Sequence, residues 1–286
     1  MAETLIGHTD RIMTIGYDPV SLYSSSKDKT IRVWNRQTQQ CIHILTGFSH
    51  SPKLSVDETY LYAVSNNELR VWDKRTWTQI YHEVLPTGSD LQDVIHDEQH
   101  LYTSVRDGRI FIIEKHSFSL KHEIQAHTGG IWGITQDDEH LYSASVDTTV
   151  KIWDKTHHTL QHTLTGHKAN IQALCVNEHA IYSFSTDKVL MVWDKDSGEL
   201  LASLKKIFKK GLIGVFCHQR FVLATSSAGG IKLLTPKSLE PVATVDYTIS
   251  NGKAVAVDGD VLYLGLTNHS ILMIHIDELL ADAQNM

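Results

Sequence analysis

The stretch DTTVKIWD, residues 147–154, decides the fold. In it a polar turn is followed by Thr-Val-x-Ile-Trp and then by an acid. Related stretches recur along the whole chain, so that seven copies of one template can be aligned. The copies are DKTIRVWN (28–35), NNELRVWD (66–73), DGRIFIIE (107–114), DTTVKIWD (147–154), DKVLMVWD (187–194), AGGIKLLT (228–235) and NHSILMIH (268–275).

The apolar anchor of each copy returns with a nearly constant period of 38 to 41 residues. The anchors are Trp34, Trp72, Ile113, Trp153, Trp193, Leu234 and Ile274. A fixed period of this length indicates a repeat architecture, in which each unit buries its apolar face against its neighbours.

A histidine is tied to three of the copies at fixed distances. Gly7-His8, Ala126-His127 and Gly166-His167 each place the histidine 20 residues before a turn aspartate and 26 before a tryptophan. The whole pattern resembles the WD-repeat family, from about residue 2 to residue 276. The resemblance implies an all-β fold: a seven-bladed β-propeller of four-stranded antiparallel blades, forming one domain over residues 1–276.

The resemblance also implies a hydrogen-bonded relay within a blade, formed by the histidine, a strand hydroxyl, the turn aspartate and the tryptophan. The relays carried over are His8–Ser24–Asp28–Trp34, His127–Ser143–Asp147–Trp153 and His167–Ser183–Asp187–Trp193. A buried imidazole and a buried carboxylate are each costly unless they satisfy one another. Ser, His and Asp together also suit a hydrolase, but their repetition beside a tryptophan favours a structural role.

Both ends of the chain predict how the ring closes. Segment 3–7 matches segments that form the outer strand of other repeats, whereas the chain ends on a third strand at 271–276. We therefore expect segment 3–7 to complete the last blade and remove a free sheet edge. Within blade 5, strands are predicted at 171–176, 180–185, 189–194 and 200–204. Residues 277–286 are predicted to be a short tail, with at most a helical turn after Asp277.

Four blades depart from the relay pattern and are expected to depend on apolar packing. The departing residues are Phe48 and Asn66 in blade 2, Thr87 and Ile113 in blade 3, Phe208 and Ala228 in blade 6, and Thr248 and Asn268 in blade 7.

The composition predicts a soluble chain without a leader or a membrane span. The formal net charge is −7, which disfavours nucleic acid and anionic membranes as partners. No apolar run approaches the ~20 residues that cross a bilayer. Cys41, Cys175 and Cys217 are an odd number, far apart, without metal-type spacing. We interpret them as buried free thiols and expect a reducing, cytoplasmic location.

The sequence carries no motif for catalysis or for a cofactor. It has no nucleophile elbow, no phosphate-binding loop and no dinucleotide fingerprint. His100, His140 and His179 occupy equivalent turns of successive blades, too far apart to share a metal at about 2 Å. We therefore predict no catalytic residue, no metal, no cofactor and no small-molecule substrate.

Charge is expected to differ between the two faces of the propeller. In the family's topology, loops between blades and turns between second and third strands emerge on the top face. Turns between first and second strands emerge on the bottom face. The bottom turns carry Asp18, Asp57, Glu58, Asp97, Glu98, Asp137, Asp138, Glu139, Glu178, Asp258 and Asp260, with Arg220 as a lone cation. The top loops carry basic residues instead, although both sets also suit ordinary solvated turns.

The predicted partner-binding residues lie on this basic top face. They are Arg11, Lys27, Arg106, Trp132, Lys168, Lys188, Lys206, Phe208, Lys209 and Lys210. Trp132, at the start of an inner strand, fits either an exposed anchor at the channel mouth or a packed core ring. Arg and Trp are common at binding hot spots.

The leading functional hypothesis is a non-catalytic scaffold that binds a partner peptide or domain through the top face. We expect the partner to present an acidic or phosphorylated segment. The alternative is a substrate-recognition subunit of a multi-chain complex, such as a ubiquitin ligase or a signalling kinase assembly. A channel-sited enzyme would need carboxylates or histidines on the inner strands, where Met13, Gln92, Trp132, Gln172 and Ile213 stand. Nucleic-acid binding through the top face would show a steep salt dependence.

Overall fold

The computed structural model describes residues 3–205, 207, 212–226, 230–245, 247 and 254–284. Its strands form seven antiparallel sheets of four. The first thirteen are β1 (Glu3–Leu5), β2 (Ile12–Tyr17), β3 (Ser21–Ser26), β4 (Ile31–Asn35), β5 (Cys41–Leu45), β6 (Lys53–Val56), β7 (Tyr60–Ser65), β8 (Glu68–Asp73), β9 (Thr78–Val84), β10 (Leu91–His96), β11 (His100–Val105), β12 (Arg109–Glu114) and β13 (Leu120–Gln125). The others are β14 (Ile131–Gln136), β15 (His140–Ser145), β16 (Val150–Asp154), β17 (Leu160–Leu164), β18 (Ile171–Val176), β19 (Ala180–Ser185), β20 (Val189–Asp194), β21 (Leu200–Lys205), β22 (Leu212–Cys217), β23 (Val222–Ser226), β24 (Gly230–Leu234), β25 (Pro241–Val245), β26 (Val255–Asp258), β27 (Val261–Gly265) and β28 (Ile271–His275).

The sheets are the seven predicted blades. Blades 1 to 6 each use four consecutive strands, beginning with β2, β6, β10, β14, β18 and β22. Blade 7 consists of β26, β27 and β28, with β1 as its outer strand. The prediction of a seven-bladed propeller is therefore confirmed. In blade 5 the predicted strand limits differ from those of β18–β21 by one residue.

The two ends of the chain meet in blade 7. β1 pairs antiparallel with β28, with Glu3 opposite Met273 and Leu5 opposite Ile271. The leucine side chain is buried in the apolar cluster between blades 7 and 1. The predicted ring closure is confirmed, although the paired strand covers three residues.

The C-terminal segment forms a longer helix than the single turn expected from the sequence. Helix α1 (Ile276–Gln284) follows β28 without a break. Ile276 and Leu279, three residues apart, are fully buried in the cluster that also contains Ile274. Residues at this spacing lie on one face of a helix, so burying them holds the helix against the propeller. The helix contacts β25 and β28.

Apolar cores lie between the blades, one at each junction of neighbours. Between blades 1 and 2, for example, Tyr23 and Ile31 share a cluster with Leu54 and Trp72. Seven such clusters occur among the described residues. Because a blade has no core of its own, its stability depends on both neighbours.

A charged pair also joins neighbouring blades at the bottom face. The carboxylate comes from the turn after the first strand of one blade, and the cation from the turn after the third strand of the next. The pairs are Asp18–Lys74 at 2.6 Å, Asp57–Lys115 at 2.6 Å, Asp97–Lys155 at 3.0 Å and Asp137–Lys195 at 2.6 Å. Asp258 of blade 7 pairs in the same way with Arg36 of blade 1.

Each of the four lysine-paired aspartates is also held within its own blade. In blade 3, Asp97 accepts a hydrogen bond from the Tyr102 hydroxyl at 2.8 Å and another from the His100 backbone N–H at 2.7 Å. Tyr23, Tyr62 and Tyr142 donate equivalently to their own aspartates at 2.6–2.7 Å. We call these five interblade pairs and their tyrosines the bottom ring.

The bottom ring corrects the expected charge distribution. Asp18, Asp57, Asp97, Asp137 and Asp258 were expected to make the bottom face acidic, but each is paired with a cation of the next blade. The sequence template compares residues within one repeat and therefore does not show a partner in the next. The exposed acids of the predicted bottom set are Glu58, Glu98, Asp138, Glu139, Glu178 and Asp260, the last of which pairs with Arg220.

Among the described residues, two junctions lack the ion pair. At the junction of blades 6 and 7, His218 and Ile276 stand at the positions of the aspartate and the lysine, and at the junction of blades 5 and 6 these positions are Asn177 and Pro236.

The interpretation of the cysteines was wrong at the junction of blades 5 and 6. Cys175 and Cys217, expected as separate free thiols, form a disulfide across this junction, whereas Cys41 is free. The expectation of a reducing compartment rested on free thiols, and these two residues no longer support it.

The bottom ring predicts a specific acid sensitivity. Burial alone would raise the pKa of Asp137, but hydrogen bonds from Lys195, Tyr142 and the His140 backbone hold it at about 2. The pKa of an aspartate in the unfolded chain is ~4. Because the pKa in the folded chain is lower, the stabilisation is fully present above the unfolded pKa and is lost as pH falls through the folded pKa. Asp137→Asn should therefore lower the free energy of unfolding by about 1–2 kcal/mol at pH 7, and by less near pH 3.

The control for this variant is Asp138→Asn, which changes the exposed neighbour and should leave stability within about 0.5 kcal/mol. Urea unfolding at several pH values measures both. Equal losses in the two variants would contradict the role of the Asp137–Lys195 pair.

Candidate functional site

The relay residues of blade 1 lie within hydrogen-bonding distance of one another. Trp34 Nε1 donates to Ser24 Oγ at 2.8 Å, and Ser24 Oγ lies 2.7 Å from His8 Nε2. His8 Nδ1 lies 2.8 Å from a carboxylate oxygen of Asp28. With the imidazole proton on Nδ1, every donor points in one direction, from the indole towards the carboxylate.

Blades 4 and 5 repeat this geometry. The imidazole–carboxylate distances are 2.8 Å for His127–Asp147 and 3.1 Å for His167–Asp187. The imidazole–hydroxyl distances are 2.8 Å to Ser143 and 2.9 Å to Ser183, and the tryptophans donate to the same hydroxyls at 3.0 and 2.8 Å.

Electrostatics favour neutral imidazoles at His8 and His127 and ionised carboxylates at their aspartate partners. Burial lowers the pKa of His8 and of His127 below the usual value, and the paired aspartates only partly offset this. Burial alone would raise the pKa of Asp28, but hydrogen bonds from Thr30 and His8 outweigh it and lower that pKa. The Thr9 backbone N–H also donates to this carboxylate at 3.1 Å.

These groups have the distances of a hydrolytic triad but not its access. Ser24, Ser143 and Ser183 have no exposed surface, and each hydroxyl is capped by a tryptophan N–H. A nucleophile must reach the reacting atom of its substrate. The three serine hydroxyls are therefore not accessible to a substrate in this structure, and each relay joins the loop before its blade to the turn aspartate.

Two threonines that were not predicted from the sequence extend the relay. Thr30 Oγ1 donates to Asp28 at 2.6 Å, and Thr149 Oγ1 donates to Asp147 at 2.7 Å. Val189 stands at this position in blade 5, where its backbone N–H donates to Asp187 at 2.9 Å. The signal was a threonine two residues after the turn aspartate in DKT and DTT.

Blades 2 and 3 lack the relay and place apolar groups at some of its positions, while Thr87 of blade 3 is buried and donates to Ser89 O. In blade 2, Phe48 is buried with its ring 5.7 Å from that of Trp72, and the Arg70 guanidinium lies over it. In blade 3, Ile113 is fully buried. Phe208, Ala228 and Thr248 lie outside the described residues.

Backbone hydrogen bonds hold the loops of the top face, both in blades with a relay and in blade 3, which has none. They join the loop before a blade to the turn between its second and third strands. Lys27 N donates to Arg11 O at 2.8 Å, Arg106 N to Asp90 O at 2.9 Å, and Thr186 N to Asn170 O at 2.9 Å. The first of these bonds brings two predicted cations together at blade 1.

Most described members of the predicted top-face set are exposed. Arg11, Lys27, Lys168 and Lys188 are exposed. The Arg106 side chain is 67% exposed and lies 3.5 Å from Asp90, which partly neutralises it. Lys206, Phe208, Lys209 and Lys210 lie outside the described residues, and Ile207 beside them is buried.

Trp132 is exposed rather than packed. Its side chain is 44% exposed, although it belongs to the innermost strand of blade 4. The pairing of β14 with β15 skips a residue between Ile131 and Gly133, so Trp132 is a bulge residue. A bulge redirects a side chain out of the regular alternation. Of the two interpretations of Trp132, the structure agrees with the exposed ring.

The central channel is poorly equipped for chemistry. A cavity of about 380 Å³ is lined by the inner strands, mainly by apolar residues and glycines. Among the described lining residues, Asp93 alone carries a formal charge, and the neutral polar groups are Thr14, Tyr17, Ser55 and Gln172. Acid–base catalysis needs at least one positioned proton donor or acceptor matched to a substrate, and usually a pair. The lining does not present a cluster of that kind.

A group of histidines between blades 3 and 4 was not predicted. In the turn after the third strand, Trp77, Phe118 and His158 share a left-handed backbone, with φ of 56°, 54° and 57°. Each side chain packs against the preceding blade. Trp77 lies 4.6 Å from His43, Phe118 lies 4.8 Å from Tyr81, and His158 lies 4.6 Å from His122, between ring centroids.

His158 also contacts His100, with 6.3 Å between ring centroids, and Lys121 Nζ lies 3.4 Å from His100 Nε2. The pKa of His158 is lowered by burial and then by the nearby His122, His100 and Lys121.

The other two turn histidines have separate partners. His140 Nε2 lies within hydrogen-bonding distance of Gln161, and His179 lies beside Glu178. Within the described ranges, no three His, Cys, Asp or Glu side chains are placed to hold a metal ion.

Comparison with known proteins adds the following. The family model described as WD domain, G-beta repeat, matches residues 2–35, 118–154 and 158–194, which are the three repeats that carry a relay. An F-box/WD-40 repeat-containing protein of Arabidopsis thaliana is 26% identical over 114 residues, covering 38% of this chain and 21% of that protein. Zinc finger CCCH domain-containing protein 17 of Oryza sativa subsp. japonica is 44% identical over 45 residues, covering 16% and 10%.

The chain thus matches about a fifth of one relative's length and about a tenth of the other's. In the part of the chain that the structure describes, no helix has the length and apolar character needed to cross a bilayer.

The relay geometry predicts a large difference between two aspartates at the same turn position. Asp147→Ala should lower the free energy of unfolding by about 1–3 kcal/mol, because buried His127 loses its acceptor. Asp107→Ala is the matched control in blade 3, where Asp107 is exposed and bonds Arg109 instead of a histidine. It should cost less than about 1 kcal/mol. Chemical denaturation measures both, and similar losses would contradict the relay.

The histidine group predicts a pH effect at one junction. A histidine pKa that is lower in the folded state gives stability that is present above about pH 6.5 and is lost as pH falls. His158→Phe copies the neighbouring Phe118, and the fall in melting temperature from pH 7.5 to 5.5 should become smaller. Phe118→His, the reciprocal variant, should make that fall larger. Unchanged falls in both variants would show that His158 does not titrate against its neighbours.

Proposed function

Because the chain is a WD-repeat β-propeller, we propose that it is a non-catalytic platform that binds a partner protein on its top face. WD-repeat propellers generally serve as protein-interaction scaffolds. The observation that carries the proposal is Trp132, a tryptophan left 44% exposed by a bulge at the inner strand of blade 4. Exposing so large an apolar ring loses burial energy that a bound partner would recover.

Charge on the same face supports an acidic or phosphorylated segment as the partner. Arg11, Lys27, Lys168 and Lys188 are exposed there, whereas Asp28 and Asp187 are turned into the relays. The relay carboxylates therefore do little to neutralise the basic side chains. Such cations steer an anionic partner and contribute rim contacts, while the tryptophan supplies an apolar anchor.

The bottom face suits another role. Its ring aspartates and lysines are used between blades, so a partner there would have to compete with contacts that hold the fold together. This division supports the top face as the working surface.

A second candidate function is the substrate-recognition part of a multi-chain complex. It is supported by the similarity to the F-box/WD-40 repeat-containing protein, in which repeats of this kind accompany a further module. The two candidates use the same surface, and they differ in whether the bound protein is passed to a second module.

Charge reversal tests the proposed face. The variant Arg11→Glu, Lys27→Glu, Lys168→Glu should bind acidic and phosphorylated peptides of an array at least about tenfold more weakly than the unmodified chain. Its matched control, Glu58→Lys, Glu98→Lys, Asp138→Lys, changes exposed bottom residues outside the bottom ring and should bind within about twofold. Trp132→Ala should lose binding without losing the salt dependence. A larger loss in the bottom variant would place the working face on the bottom.

A further inference from the structure

The junction of blades 5 and 6 cannot form the ion pair that the bottom ring uses. Asn177 replaces the aspartate and Pro236 replaces the lysine. What remains is a neutral contact, in which the Tyr182 hydroxyl donates to Pro236 O at 2.9 Å and Asn177 Nδ2 lies 3.4 Å from the same hydroxyl. Neutral hydrogen bonds are about half as strong as charge-assisted ones.

The disulfide lies at this same junction, and the repeat explains why the two cysteines meet. The anchors of blades 5 and 6, Trp193 and Leu234, are 41 residues apart, whereas Cys175 and Cys217 are 42 apart. The extra residue places the cysteines on opposite faces of equivalent strands, because side chains alternate along a strand. These are the faces that meet across the junction, where the Cα atoms are 5.8 Å apart.

The disulfide is within reach of solvent. Both cysteines are partly buried, and both pack on the apolar cluster between the two blades. Cys217 lines a bottom-face cleft of about 490 Å³ together with Asn177, Glu178 and His218. A cleft of this size admits a small thiol.

We propose that the Cys175–Cys217 disulfide is a reversible, redox-controlled cross-link that replaces the missing ion pair between blades 5 and 6. A thiolate of a low-molecular-weight thiol attacks Cys217 Sγ through the cleft, and Cys175 leaves as a thiolate that takes up a proton. A second thiol resolves the mixed disulfide. The net reaction converts one protein disulfide and two small thiols into two protein thiols and one small disulfide.

Thiol counting tests the redox step on the native chain. The protein is equilibrated across ratios of reduced to oxidised glutathione, alkylated without unfolding and then again after unfolding, and its mass is measured. Cys41 should be the one unpaired cysteine at oxidising ratios, and all three cysteines should be thiols at reducing ratios. A pair that stays reduced at every ratio, or stays oxidised in excess tris(carboxyethyl)phosphine, would overturn the proposal.

Melting temperatures test whether the disulfide stabilises the junction. Reduction should lower the melting temperature of the Cys41→Ala variant by about 5 °C or more. It should not change the melting temperature of the triple variant Cys41→Ala, Cys175→Ala, Cys217→Ala. Adding Asn177→Asp and Pro236→Lys to the cysteine-free variant installs the missing ion pair and should recover part of the loss. The absence of any recovery would contradict the claim that the disulfide stands in for that pair.

Hydrogen exchange locates the effect, and it needs no substitution in case the cysteine-free chain folds poorly. On reduction, the backbone amides of β18 and β22 should exchange several-fold faster. The amides of β6 and β10 should not change, because they belong to blades 2 and 3, which the Asp57–Lys115 pair joins. Equal acceleration at both junctions would overturn the assignment to blades 5 and 6.

Discussion

Five of the seven junctions, among the described residues, are held by a carboxylate that one blade supplies and a cation that the next blade supplies. In four of these pairs the aspartate is also held within its own blade, by a tyrosine hydroxyl and by backbone N–H groups, so its position does not depend on the cation alone. A fixed acceptor costs the lysine less ordering entropy than a mobile surface pair would. Together with one apolar cluster per junction, these pairs join units that cannot fold alone.

The charged residues of the two faces differ in what they contact. Aspartates and lysines of the bottom turns pair across blades, whereas Arg11, Lys27, Lys168 and Lys188 of the top face are exposed. In blades 1, 4 and 5 a buried imidazole joins the loop before the blade to the turn aspartate, and the basic residues beside these loops are left exposed. The Trp132 bulge has the same effect on an aromatic ring. A rigid rim with adaptable side chains is well suited to binding a segment of another protein.

A repeat template compares residues within one unit, and this determines which features of the fold and site could be predicted from the sequence. Aligning the copies places His8, Ser24, Asp28 and Trp34 in one unit, so the fold, the ring closure and the relay constellation could all be predicted. The pair Asp18–Lys74 joins residues 56 positions apart in different units, so no alignment of single repeats shows it. The Cys175–Cys217 pair was missed because the 42-residue separation of the two cysteines was not compared with the 41-residue spacing of blades 5 and 6, so the one-residue offset that brings them onto facing sides was overlooked. Helix α1 was underestimated because its burial depends on a face offered by β25 and β28.

The central claim, that partner binding belongs to the top face, is tested most directly by hydrogen exchange with and without a bound acidic or phosphorylated peptide. The account predicts slower exchange at the top-face amides of Thr9, Lys27, Lys168 and Thr186, which lie in the loops beside the exposed cations. It predicts no change at the bottom-turn amides of Tyr60, His100 and His140, which donate to the ring aspartates. Protection of the bottom turns with the top loops unchanged would contradict it.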